Sequence, residues 1–303
     1  MIGTLTTEII KPLITTYTLM TLSKKYLCTV ALALLGAVAF PSCNCNGGED
    51  QPTPPPVEEK ALVSSLTVTV EDLINSTKKD MTTQYAYDKE GRVSSMTVST
   101  RGEDDPSSET WPISYGDGTM TISYPSEAQV FQTNASGYIV GEKTSEAESF
   151  FSASYDAEGH LQSLMDDERG VYTLKWKEDL ITELQRSMAE SQSMTSHTTF
   201  SYSETKDPVG LIALYIPTFA DTPLPGMWFG KAPTYLPSKR VSTLKMPISN
   251  LPVEVTTTFD YTLDAKGRPV KIVATEDLQS KSKDFIPDFA GKILRTTFEI
   301  TYK

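Results

Sequence analysis

The sequence predicts an all-β protein whose antiparallel strands form a meander that is closed or curled into a barrel. Three observations lead to this prediction. Short segments rich in Thr, Ser, Tyr and Val alternate in polarity, helical periodicity is nearly absent, and one turn-forming phrase recurs four times between such segments. The chain has about fourteen to sixteen candidate strands, a number that favours a barrel, a curled meander or a sandwich.

Two segments show the strand pattern most clearly. In VEVTTTFDYTL, residues 253–263, the apolar side chains fall on one face together with Thr257, and Glu, Thr and Asp fall on the other. The apolar set is Val253, Val255, Phe259, Tyr261 and Leu263. TFEITY, residues 297–302, alternates in the same way. A period of two residues indicates strands with one buried face.

The recurring phrase is YAYDKEGRV at residues 85–93, with copies at 131–139, 153–161 and 261–269. In each copy an Asp or Asn is followed three residues later by Gly. Asp or Asn suits the first position of a type I turn, and Gly suits the left-handed position that completes a three-residue hairpin loop. We predict structural turns at Asp88 and Gly91, Asn134 and Gly137, Asp156 and Gly159, and Asp264 and Gly267. Copies 22 residues apart, as Asn134 and Asp156 are, should lie at the same end of the meander.

The residues after each turn do not alternate strictly. Apolar residues stand two and five positions after the Gly, as Val93 and Met96 do after Gly91. A β-bulge would explain this spacing, and so would a strand buried on both faces. The sequence leaves both explanations open.

The N-terminal part predicts an export signal. Lys24 and Lys25 precede an apolar run at 27–40 that is too short for a comfortable transmembrane helix, so residues 1–42 are interpreted as an upstream extension and a signal peptide. Met1 and Met20 are both candidate start residues. The segment ending at Cys43 resembles a bacterial lipoprotein signal, in which cleavage precedes a Cys that is then lipidated.

Residues 43–60 are rich in Pro, Gly and acidic residues and predict a flexible tether behind the lipidated Cys43. Residues 61–303 are then a single β domain. An anchor of this kind attaches the chain to a membrane without spanning it. It predicts an outer-membrane lipoprotein of the cell envelope, on either the surface or the periplasmic face.

Composition argues against several classes of function. The net charge of −12 disfavours nucleic acid as a partner. All three Cys precede residue 61, so the domain has no disulfide and no cysteine chemistry. Its two His, His160 and His197, lack the spacing of a metal site, and His160 takes a turn position held by Arg92 and Arg268 in two other copies, which predicts exposure. No catalytic or cofactor-binding motif is present, so we expect no metal, no cofactor and no enzyme activity.

One segment interrupts the strand pattern. Residues 207–237 contain six Pro and little charge, and they are too long for a simple hairpin loop. A short helix is expected around 208–216. The segment either caps one end of the β structure or lines the mouth of a ligand site. In the second case the candidate ligand-binding residues are Trp228, Phe229, Lys231 and Tyr235.

The order of several motifs resembles a family of uncharacterised Bacteroidetes lipoproteins with a porin-like fold. The motifs are the Tyr-x-Tyr-Asp-x-x-Gly-Arg hairpins, Trp228-Phe229-Gly230-Lys231 with Leu236-Pro237 after it, FDYTLDAKGRPVKI and the closing TFEITYK. The hairpins are also similar to the YD repeats of bacterial cell-surface proteins. The family resemblance covers most of 61–303 and implies an antiparallel barrel-like fold, with no established activity and no functional residues to carry over.

We expect this barrel to be soluble rather than membrane-spanning, because its strands are rich in Ser and Thr and lack the apolar outer band of outer-membrane barrels. The leading hypothesis is a lipid-anchored, non-catalytic module that binds a glycan or another small ligand. The alternative is a structural or adhesion protein that binds a protein partner in the envelope. A hydrolase that uses two carboxylates is the third hypothesis.

Overall fold

A computed structural model of the chain describes residues 62–101, 106–143, 151–166, 170–187, 195–216, 228–246, 249–280 and 290–303. The predicted signal peptide, Cys43 and the tether at 43–60 lie outside these residues. So does the middle of the Pro-rich insertion, at 217–227. Within the described part of the chain, no helix is long and apolar enough to cross a membrane.

Sixteen antiparallel strands of the described residues form one closed barrel, which confirms the predicted fold class. Each strand pairs with its neighbours in sequence, and β1 pairs with β16. The strands are β1 (Val63–Asp72), β2 (Thr77–Tyr87), β3 (Val93–Arg101), β4 (Ser107–Gly116), β5 (Thr119–Ser123), β6 (Ala128–Thr133), β7 (Ile139–Glu142), β8 (Phe151–Tyr155), β9 (Leu161–Asp166), β10 (Gly170–Lys177), β11 (Leu180–Ser187), β12 (Thr195–Lys206), β13 (Tyr235–Met246), β14 (Ser249–Leu263), β15 (Pro269–Ser280) and β16 (Ala290–Tyr302). A single helical turn, α1 (Ile212–Tyr215), lies between β12 and β13.

The four predicted turns follow β2, β6, β8 and β14. Because all even-numbered strands of an antiparallel meander run the same way, these turns lie at one end of the barrel, which we call the turn end. The backbone N–H of Asp88 donates to the carbonyl of Arg92, and that of Gly91 donates back to Asp88. The other three turns repeat both bonds, and the four Gly have φ between 76° and 87°. Left-handed backbone of this kind favours Gly.

A β-bulge follows each of these turns, which decides between the two explanations of the apolar spacing. Tyr87 pairs with Val93, but Ala86 pairs with Ser95, so Ser94 is an extra residue in β3. The same register shift occurs at the start of β7, β9 and β15. The extra residue brings both Val93 and Met96 to the inner face.

The inner face of the sheet is apolar. In β14, Val253, Val255, Thr257 and Phe259 are buried and alternate with Glu254, Thr256, Thr258 and Asp260, which are partly or fully exposed. Leu263 was expected on the buried face, and this expectation is wrong, since its side chain is 43% exposed. It is the last residue of β14, where a register shift interrupts the pairing with β15.

A collar of aromatic side chains surrounds the turn end. Seven even-numbered strands each place an aromatic residue close to their last position, and its O–H or N–H donates to a carbonyl at or near the start of the preceding strand. The collar residues are Tyr87, Tyr115, Tyr155, Trp176, Tyr202, Tyr261 and Tyr302. Burial raises the pKa of Tyr87 to about 12, so its hydroxyl remains a donor at neutral pH. Each bond fixes one strand against the next.

We predict that Tyr155→Phe lowers the free energy of unfolding by about 1 kcal/mol, because the variant loses the 2.6 Å hydrogen bond to the Ile139 carbonyl while keeping the ring. The loss should appear as a lower urea midpoint with an unchanged m-value. The control is Tyr235→Phe, whose ring is 37% exposed and which should change stability by less than about 0.5 kcal/mol. Equal losses in the two variants would contradict a structural role for the collar.

Candidate functional site

Two limbs of the insertion at 207–237 are described, residues 207–216 and 228–234, and both lie at the turn end of the barrel. The first limb begins at Asp207, whose carboxylate accepts hydrogen bonds from the N–H groups of Val209 and Gly210 and from the hydroxyl of Tyr215. Helix α1 follows and is buried on all sides. The two described limbs contribute a run of buried apolar residues to the barrel core: Val209, Leu211, Ile212, Ala213, Leu214, Tyr215, Ile216, Trp228 and Phe229. We call residues 207–216 and 228–234 the plug.

The four residues predicted to bind a ligand do not form one surface. Trp228 and Phe229 are 1% and 3% exposed, and the Phe229 ring packs against Phe151 in the core at 6.1 Å between centroids. Neither ring offers a face on which a sugar could stack. Lys231 lies at the rim of the barrel, where it contacts Asp179. Tyr235 is exposed at the first position of β13.

The second limb of the plug is held by backbone contacts to the turns around it. The N–H of Lys231 donates to the Gly159 carbonyl at 2.8 Å, and the N–H of Ile139 donates to the Trp228 carbonyl at 3.2 Å. Gly230 lies between these bonds with φ of 90°. A Cβ on Gly230 would lie 2.4 Å from the Gly159 carbonyl oxygen, so only Gly fits where the plug meets this turn.

His160 connects three elements at this contact. Its Nδ1 lies 3.0 Å from an oxygen of Asp156 in its own turn, and its Nε2 lies 2.9 Å from Asp179 in the turn between β10 and β11. The same oxygen of Asp179 accepts a hydrogen bond from the ammonium of Lys231 at 2.7 Å. The His160 ring stacks on Trp176 with 4.5 Å between centroids. The prediction that His160 is exposed is wrong, because its residue exposure is 5%.

The same arrangement occurs with Arg in two other turns. Arg92 donates to Asp88 at 2.8 Å and lies 4.4 Å above the Tyr115 ring, and Arg268 donates to Asp264 and lies above Tyr302. In all three cases the basic residue immediately precedes an odd-numbered strand, and its side chain stacks on the collar residue of the strand after that one. His160 therefore occupies the position that a permanently charged Arg holds in the two other turns.

Hydrogen bonding keeps the carboxylates of this cluster ionised. A hydrogen bond from Lys231 is the main cause that lowers the pKa of Asp179, and His160 adds to it. Partial burial opposes ionisation of Asp156, but hydrogen bonds from the backbone and the ring of His160 outweigh it and lower the pKa of Asp156.

One alternative for this cluster is a metal site, since ligand atoms of Asp156, Glu158 and His160 lie within 4.8 Å of one another. Both ring nitrogens of His160 already lie within hydrogen-bonding distance of carboxylates. A metal ion would have to displace one of these contacts. We therefore assign the cluster to hydrogen bonding and ion pairing.

The first limb of the plug is locked from inside the barrel by Arg240. This residue is 4% exposed, and its guanidinium donates to the Leu214 carbonyl at 3.1 Å, to Thr257 at 3.0 Å and to Glu276 at 2.9 Å. Burial raises the pKa of Glu276, and the positive charge of Arg240 opposes that rise. This ion pair was not predicted from the sequence, although the spacing of Leu236, Arg240 and Leu244 places Arg240 on the inner face.

A pocket lies beside the cluster, lined by Trp176, Tyr215, Phe229 and Lys231 among others. Its free volume is about 30 Å³, which is room for about two water molecules. The pocket is far too small for a saccharide ring. In the described residues, the mouth of the barrel is therefore filled by the plug.

We predict that Gly230→Ala destabilises the protein more than Gly267→Ala does. Both Gly have left-handed backbone, but nothing lies within 4 Å of a Cβ on Gly267. Gly267→Ala should therefore cost only the backbone strain of about 1 kcal/mol. Gly230→Ala should cost about 1–3 kcal/mol more, because its Cβ displaces the plug. Urea unfolding measures both, and equal losses would show that the plug is not seated on the turn at 156–160.

Comparisons with known proteins agree with the fold. The chain is similar in structure to a porin-like protein from Bacteroides uniformis, with a TM-score of 0.58 and 16% identity over 80% of this chain and 98% of that one. A porin-like protein from Bacteroides vulgatus covers the same share of this chain at 15% identity, with a TM-score of 0.45. No protein-family model and no curated protein matches the sequence. At this level of identity the likeness shows the fold alone, and that fold is a porin-like antiparallel barrel.

Proposed function

We propose that this chain is a lipid-anchored protein of the outer membrane whose barrel is non-catalytic, stands in water and acts through its outer surface. The single observation that carries the proposal is the polarity of the sheet. Every one of the sixteen described strands has at least one buried residue, and these inward side chains are mostly apolar. A water-filled pore would instead expose a polar lining, as membrane porins do.

The outer face has the complementary character. Hydroxyl groups on neighbouring strands pair across it, for example Thr97 with Thr110 at 2.9 Å and Ser99 with Ser108 at 2.8 Å. Ion pairs such as Lys271–Glu299 and Lys175–Glu183 add to this polar surface. A lipid-facing sheet needs an apolar band, and charged groups on it are costly. This pattern supports a barrel surrounded by water.

The route of the chain supports attachment at the turn end. The first strand starts there at Val63, and the C-terminal Lys303 donates its N–H to the Leu62 carbonyl at 2.9 Å. A flexible chain as long as the predicted tether, about 18 residues, would have an end-to-end distance of roughly 20–25 Å. A lipid on Cys43 would therefore keep the turn end of the barrel within about that distance of the membrane.

Two features favour the structural or adhesion form of the hypothesis over the ligand-binding form. The candidate aromatic residues Trp228 and Phe229 are buried, and the pocket at the mouth holds little more than water. A protein partner in the envelope that contacts the outer surface needs neither. The carboxylates of Asp156 and Asp179 both lie within hydrogen-bonding distance of His160, so these two acidic groups pair with a base and do not face each other across a cleft.

The anchor is tested by replacing the two Cys of the predicted tether one at a time. Cys43→Ala should move the full-length protein from the membrane fraction to the soluble fraction, because the lipid cannot be attached. Cys45→Ala is the matched control and should leave the protein in the membrane fraction. Membrane association that survives Cys43→Ala would overturn the lipoprotein proposal.

A further inference from the structure

We propose that His160 is a proton-dependent latch that holds the plug at the turn end of the barrel, and that loss of its second ring proton loosens the plug. The inference rests on the geometry around one side chain. It is independent of the anchor, since the contacts lie entirely within the barrel.

The imidazole can satisfy both of its neighbours only as a cation. A carboxylate accepts hydrogen bonds and donates none, and a neutral imidazole has one N–H. Asp156 lies at Nδ1 and Asp179 at Nε2, both within 3.0 Å. Without the second proton, one ring nitrogen would turn a lone pair toward a carboxylate oxygen. One of the two contacts must then break.

The charged groups around the ring come from each element that packs on it. Asp156 and Glu158 belong to the turn before β9, and Asp179 belongs to the turn after β10. Lys231 of the plug approaches Asp179 from the other side, and the uncharged Trp176 ring covers one face of the imidazole. Two carboxylates thus contact the ring directly, and the nearest ammonium is shared through Asp179.

His160 differs in chemistry from the residues that hold the same position in two other turns. Arg92 and Arg268 perform the same stacking and pairing with a group that stays charged at any physiological pH. Histidine is the side chain whose charge ordinarily changes between pH 5 and 8. The plug contacts this position directly, through the hydrogen bond from the N–H of Lys231 to the carbonyl of Gly159.

Loss of the proton would act on the plug through two residues. Asp179 positions the Lys231 ammonium with its side chain and accepts the N–H of Thr234 with its backbone carbonyl. Gly159, next to His160, accepts the N–H of Lys231. A shift of either turn weakens these contacts together.

The sign of the pH dependence follows from the two kinds of group. The carboxylates of Asp156 and Asp179 have lowered pKa values, so their contribution is present above the ordinary Asp value and is lost only when the pH falls through the lowered values. The imidazole serves both carboxylates only while both ring nitrogens carry a proton, so removal of one proton costs one of the two contacts. The plug should be held most firmly at mildly acidic pH.

The test is hydrogen exchange of the Lys231 and Thr234 amides in the whole protein at pH 5.5 and 8.5, corrected for the intrinsic rates. In the wild type their protection should fall about tenfold at the higher pH, as loss of a charged hydrogen bond implies. His160→Arg, which copies Arg92 and Arg268, should abolish the fall. His197→Gln removes the other His, which is exposed and bound to Glu183, and should behave as the wild type does.

Protection that does not change with pH in the wild type, or that falls equally in His160→Arg, would overturn the latch. If His160→Arg fails to fold, ¹⁵N NMR of the wild-type imidazole decides the matter. Two protonated ring nitrogens at pH 5.5 and one at pH 8.5 support the proposal. A ring that is neutral at pH 5.5, or still doubly protonated at pH 8.5, contradicts it.

Discussion

Closure of the sheet around an apolar interior is the constraint on which the rest of this structure depends. A closed barrel has no edge strands. Every strand therefore has two neighbours and finds hydrogen-bond partners for its backbone groups within the sheet. Sixteen strands in a circular cross-section enclose more room than their own side chains fill. The plug occupies part of this room, since both of its described limbs contribute buried apolar residues to the core. Arg240 then donates a hydrogen bond to the Leu214 carbonyl, so that this buried polar group has a partner.

At the turn end, several kinds of local interaction fix the strands against one another. Each Asp or Asn turn sets the local register, the bulge after it restores the apolar side chains to the inner face, and the aromatic collar bonds one strand to the next. Arg92, His160 and Arg268 then cover three of the seven collar rings. Because the first strand also begins at this end, a tether on Cys43 would pull on a part of the barrel that these contacts brace.

The sequence predicted those features that depend on neighbouring residues. The turn at Asp156 and Gly159 follows from the chemistry of two side chains, and the inner face of β14 follows from alternation. The burial of His160 could not be predicted in this way, because it depends on Asp179 and Lys231, which the fold brings from another turn and from the plug. Arg240 and Glu276 are 36 residues apart and meet only through the pairing of β13, β14 and β15. The exposure of Leu263 likewise depends on where its strand ends.

The central claim is that the outside of this barrel faces water and the inside is filled. It is tested most directly by placing single thiols along β16 of the membrane-bound Cys45→Ala variant, which lacks the free thiol of the tether, and measuring their reaction with a water-soluble maleimide. Cys at the outward positions Thr297, Glu299 and Thr301 should react readily, and Cys at the inward positions Phe298 and Ile300 should react at least about tenfold more slowly. Protection of the outward thiols with reaction of the inward ones would describe a membrane-embedded pore and would contradict the account.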